Sequence, residues 1–166
     1  MTRLSKRQLQ TLDSQLADRD RAVLASLHNC RYLTTAQLRR LHYTDSVTTR
    51  AGLRAANRGL AKLHEHDLTV HLKRRIGGVR AGSGSLIWLL TENGNRLLHL
   101  AATNNTLRKR FFEPSPAFLE HTLAVSEIYL QVIEISKKHG LKLNRCELEP
   151  AYARKPHFSQ EPQACG

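Results

Sequence analysis

Four cations spaced by four residues, Arg50, Arg54, Arg58 and Lys62, carry the clearest chemical signal in the chain. If the run from Ser46 to His64 is helical, about 100° per residue lines them up in one stripe, with Leu53, Ala56, Leu60 and Leu63 gathered on roughly the opposite side. No Asp or Glu falls at i±4 to neutralise the stripe, and Thr48, Thr49 and Asn57 add hydrogen-bonding groups beside it. Such a face suits a polyanion, because Arg binds both guanine edges and phosphates and Lys binds phosphates. The N-terminal positions of a DNA-reading helix reach deepest into the groove. Thr48, Thr49, Arg50 and Arg54 are therefore assigned to bases, and Arg58 and Lys62 to phosphates.

A second basic group follows. Lys73, Arg74, Arg75 and Arg80 are interleaved with Gly77, Gly78, Gly82 and Gly84 between two segments of strand character, Leu68–Leu72 and Ser85–Leu90. Glycines permit tight turning, and the cations keep such a loop solvated and drawn to phosphate or an adjacent minor groove, which is the composition of a wing. Gly82-Ser83-Gly84 lacks the Lys-Ser/Thr ending and the following helix of a nucleotide-binding loop.

The elements that must hold these groups can be read outward from them. A helix from Asp18 to Asn29, with Asp18 as its cap, turns Val23, Leu24 and Leu27 to one face. Tyr32-Leu33 form an extended link. Thr34 or Thr35 then caps a second helix, with Ala36, Leu38 and Leu41 inward and Arg39 and Arg40 outward. The turn formers Tyr43 to Ser46 lead into the cationic helix. Helix, turn, helix and basic hairpin together read as a winged helix-turn-helix.

Beyond the hairpin, Thr91 caps a helix from Glu92 to Ala101, and Pro114 and Pro116 precede a long helix from about Ala117 to His139, stopped by Gly140. That helix has two apolar stripes: Leu119, Leu123, Leu130 and Ile133, and Val125, Ile128, Val132 and Ile135. So wide an apolar girth calls for packing between elements or at a dimer interface. Residues 141–148 alternate as one further strand. The expected organisation is a basic arm or short helix at 1–17, the winged helix-turn-helix at 18–102, a linker at 103–116, a helix-plus-strand packing or dimerisation element at 117–149, and a disordered tail at 150–166. The fold class is mainly α with a small β-wing.

Composition agrees with a nucleic-acid partner. The chain of 166 residues has 26 Lys plus Arg against 14 Asp plus Glu, a formal charge of +12. Residues 1–110 hold 20 of the basic and 7 of the acidic side chains, so the excess belongs to the part with the two basic groups. Cys30, Cys146 and Cys165 are odd in number and outside any CxxC pattern, which fits a reducing cytoplasm and neither a disulfide framework nor zinc. No apolar run approaches the roughly 20 residues of a membrane span. His64, His66 and His71 lack a metal-ligand pattern, Trp88 reads as core, and Glu120 and Glu127 stand without a nucleophile or metal motif beside them. No cofactor, metal or small-molecule ligand is expected, and no enzymatic activity.

The order of motifs resembles that of the replication-relaxation family. The resembling residues are Asp18 to Leu24, Tyr32 to Leu38, Arg58 to Leu63 with Asp67-Leu68, Trp88 to Gly94, and His121 to Val125. The resemblance implies an N-terminal winged helix, a double-stranded DNA partner, and a role in replication, relaxation or mobilisation of a plasmid or integrated element. It also implies a C-terminal strand carrying Glu followed by a Pro-Asp pair of nuclease-like folds. Here Glu147-Leu148-Glu149 is followed by Arg154-Lys155-Pro156-His157 without the Asp, so a nuclease is the weakest of three readings. The others are a non-enzymatic DNA-binding accessory protein, and a dimeric, autoregulatory transcriptional regulator joined through the 117–139 helix.

Overall fold

A computed structural model describes residues 3–72, 85–100, 114–141 and 148. In chain order its elements are α1 (Lys6–Gln15), α2 (Asp18–Cys30), β1 (Leu33–Thr34), α3 (Thr35–His42), α4 (Thr49–Glu65), β2 (Thr69–His71), β3 (Ile87–Leu90), α5 (Glu92–Leu98) and α6 (Pro116–Lys138). The described part is mainly helical, with one small antiparallel sheet in the order β1-β3-β2. Leu33 pairs with Trp88, and His71 pairs with the same residue from the other side.

Local chemistry explains where the helices start. Thr34 accepts from the Gln37 amide at 3.2 Å while the Gln37 side chain accepts from the Thr34 amide at 2.9 Å, a reciprocal box that opens α3. Thr48, Thr91 and Ser115 cap α4, α5 and α6 in the same manner, through hydroxyls that accept from Ala51, Gly94 and Phe118. Pro116 follows as the first residue of α6, where its missing N–H costs no helical bond.

Four expectations need correction. Ala17, not Asp18, is the N-cap of α2; the Asp20 carboxylate reaches back to the Ala17 amide at 3.4 Å, and this places Asp18 inside the first turn. Arg31, not Asn29, closes α2, with φ of 65°. The cationic helix begins at Thr49 rather than Ser46, because Thr48 takes the capping role and Asp45 to Thr48 form the turn. Ala36 is exposed, and Thr35, Gln37 and Leu38 face inward instead, since α3 leaves directly from the sheet and is covered on that side by α6.

The main core collects Val23, Leu24 and Leu27 of α2, Leu38 of α3, Ala56, Leu60 and Leu63 of α4, and Leu68, Trp88 and Leu97 around the sheet. Leu9 and Leu16 tuck in from the N-terminal helix, so α1 is part of the packed body. A second cluster of Tyr32, Leu72, Ile87, Leu89, Leu119 and Leu123 joins the sheet to α6. Two glycines allow close approach. A Cβ on Gly59 would collide with the Tyr43 hydroxyl, and one on Gly94 would run into the Leu68 carbonyl oxygen. The end of α3 thus lies against α4, and α5 against the chain entering β2.

Of the two stripes on α6, one is covered. Leu119, Leu123 and Leu130 are buried, whereas Ile128, Val132 and Ile135 remain 62%, 38% and 56% exposed. Residues 142–147 of the strand expected at 141–148, the 103–113 part of the linker and the 150–166 tail fall outside the described residues.

Candidate nucleic-acid interface

One side of α4 is packed and the other open. Gly52, Ala56, Leu60 and Leu63 are buried and Leu53 is half-buried, while Thr48, Thr49, Arg50, Arg54, Asn57 and Arg58 are exposed. A rise of 1.5 Å per residue separates Arg50 from Arg58 by roughly 12 Å along the helix. Among the described residues, none of Arg50, Arg54 and Arg58 has an ion-pair partner. The Thr48 hydroxyl accepts from Ala51 at 3.1 Å, which leaves its own O–H to donate outward.

Lys62 differs from the other three. Its ammonium lies 3.0 Å from Asp20 Oδ2, a carboxylate that is almost buried at the start of α2. The acidic partner absent from the i±4 positions of the stripe is supplied from 42 residues away. The same carboxylate serves the α2 cap, so Lys62 ties α4 to the helix behind it.

Arg40, expected to point outward, is also engaged. Its guanidinium forms ion pairs with Glu127 and, at 2.7 Å, with Glu134, both on α6. Gln37 adds to this seam by donating to Glu127 Oε2 at 3.1 Å and to the Leu123 carbonyl at 3.3 Å. The bonds to Glu134 and then Glu127 raise the Arg40 pKa further above its ordinary value, and Arg40 in turn holds Glu134 below the usual carboxylate range. Glu127 therefore bonds α3, whereas Glu120, grouped with it above, is exposed.

The turn before α4 is fastened from α2. Arg19 reaches Asp45 at 2.9 Å and lies over the Tyr43 ring at 5.2 Å. Its hydrogen bond is the main reason that Asp45 titrates below the ordinary value. Nearby, Ser26 Oγ and His42 Nε2 are 2.9 Å apart. Burial, reinforced by Lys137 and Arg19, pushes the His42 pKa down to about 4, so the ring is neutral at pH 7.

At the hairpin, His64 and His71 both meet the Trp88 ring, at 6.2 and 5.3 Å. Their Nδ1 atoms donate to the carbonyls of Thr69 and Leu72, which fixes the tautomers. Trp88 is buried and its Nε1 donates to Thr35 at 2.9 Å, in keeping with a core position. Among the described residues no three His, Cys, Asp or Glu come together as a metal site. Lys73, Arg74, Arg75 and Arg80 lie outside the described residues. The segment that holds them runs between paired strands, since the Leu72 amide donates to the Ile87 carbonyl at 2.9 Å.

Helices around a small antiparallel sheet, with one basic helix face left open, define a mainly α domain of the kind expected from the motifs. The family model described as replication-relaxation matches residues 24–150, well over half of the chain, and the chain belongs to the replication-relaxation family. No curated protein and no solved structure matches it. Membership supports a role in replication or relaxation of a plasmid or mobile element. No described helix is long and apolar enough to cross a membrane.

Proposed function

We propose that the chain is a non-enzymatic, sequence-specific binder of double-stranded DNA that serves replication, relaxation or mobilisation of the element encoding it. In this reading α2, α3 and α4 with the sheet form a winged helix-turn-helix, α4 enters the major groove, and the 73–84 segment is the wing. The observation that carries the reading is the contrast among cations: Arg40 and Lys62 are held by carboxylates, while Arg50, Arg54 and Arg58 stand exposed and unpaired among the described residues. Thr48, Thr49 and Asn57 supply hydrogen bonds beside them, Lys73, Arg74, Arg75 and Arg80 bind phosphates, and the protein works on cytoplasmic, plasmid- or nucleoid-associated DNA.

The exposed Ile128, Val132 and Ile135 recur on one side of α6 and support a second copy meeting there. This face also keeps the alternative of a dimeric, autoregulatory repressor in view. Recovery of bound fragments from a library of the host element separates the two readings. Enrichment of an origin or transfer-origin segment supports the first, and enrichment of a promoter alone, with altered transcription, supports the second. No enrichment by the intact chain contradicts both. On an enriched duplex, Arg54→Ala weakens binding by roughly 1–3 kcal/mol if Arg54 reads a base.

A further inference from the structure

Val47 is fully exposed, at 100%, in the turn immediately before the Thr48 cap of α4. Its position is the one from which an apolar side chain normally packs against the fourth helical residue and fixes the entry of the chain. In α4 that fourth residue is Gly52, which has no side chain and is itself buried beside Arg39 and the Tyr43 carbonyl. Val47 therefore has no packing role here. The turn is nonetheless fixed on both sides, by the Arg19–Asp45 ion pair and by the Thr48 cap.

We infer that Val47 reads a thymine: its isopropyl group contacts the C5-methyl of a thymine in the major groove, next to the bases reached by Thr49 and Arg50. The inference rests on the proposal that α4 binds DNA. Thymine alone among the four bases presents a methyl in that groove, and an apolar side chain is its natural partner. The neighbourhood supplies the rest of a DNA-facing tip, with Thr48, Thr49 and Arg50 exposed and no acidic residue in the first turn of α4.

The test uses the full chain and a duplex selected by it from a random-sequence library. Each thymine is replaced singly by deoxyuridine, which removes only the methyl. Wild type is expected to lose about fourfold in affinity at one thymine, the equivalent of one methyl group taken out of contact. Val47→Ala, with unchanged thermal unfolding, is expected to bind the thymine and uracil duplexes alike. Insensitivity of wild type to every substitution, or undiminished sensitivity in Val47→Ala, overturns the inference while leaving DNA binding by α4 intact. A library from which the chain selects no sequence overturns both.

Discussion

Arg40 and Arg54 sit on adjacent helices, each just after a leucine-containing turn, and each reads in the sequence as an outward cation. In the folded chain they have opposite fates. Arg40 is clasped by Glu127 and Glu134 and joins α3 to α6, whereas Arg54 faces solvent without a carboxylate among the described residues. Lys62 falls between them, on the stripe of Arg54 but bonded to Asp20. Positive charge is therefore a poor measure of availability. What separates a structural cation from one ready for a phosphate is whether the fold brings a carboxylate to it, and among the described residues it does so on α4 only at the far end.

The largest stability effect that can break this contrast is at Arg40. Arg40→Ala leaves Glu127 and Glu134 without their common partner and is expected to cost about 2 kcal/mol, between the values usual for exposed and for buried ion pairs. Urea unfolding should show it. The affinity of the folded fraction for DNA should stay within about twofold, and a large loss at full folding would move Arg40 into the interface. Next comes Lys62→Ala, expected to cost about 1 kcal/mol by stranding Asp20, while Arg58→Ala changes stability by less than about 0.5 kcal/mol. Equal effects would erase the distinction between the two residues.

A pH-dependent effect lies at His42. The unfolded chain protonates this residue near its ordinary 6.5, but the folded chain does so only near 4. Between those values the unfolded state holds more protons, so this contribution is complete above pH 6.5 and is lost as pH falls toward 4. The drop in urea midpoint from pH 7 to pH 5 is expected to be smaller in His42→Asn than in wild type. An identical drop would remove His42 from the α2–α3–α6 junction as a titrating group.

How much of this was legible in the sequence follows from the distance over which each interaction acts. The cap at Thr91, a cap at Thr34 or Thr35, the alternation of β2, the apolar run of β3 and the cationic face of α4 depend on residues within a few positions of each other, and local pattern finds them. Both stripes of α6 were visible for the same reason, though not which one the body would cover. The partners of Arg40 lie 87 and 94 residues ahead of it, and that of Lys62 lies 42 behind, so no local window distinguishes these cations from Arg54. In the sequence Asp20 is one residue of the Asp18 to Leu24 motif; its bond to Lys62 needs the packing of α4 on α2. Gly59 likewise looks like a weak helix former until Tyr43 is seen against it. Val47 falls inside the expected Ser46–His64 helix, and only its exposure and the missing side chain at Gly52 make it notable.

The central claim is that Arg50, Arg54 and Arg58 face DNA. Its most direct test is the salt dependence of duplex binding by wild type and by the triple Ala variant at these three positions, with unfolding temperatures measured alongside. The expected result is an unchanged unfolding temperature, at least a tenfold loss of affinity, and a slope of log affinity against log salt shallower by roughly one, as loss of the Arg58 phosphate contact requires. Equal affinity and equal slope in a fully folded variant would show that this face is only solvated, and the account would be wrong.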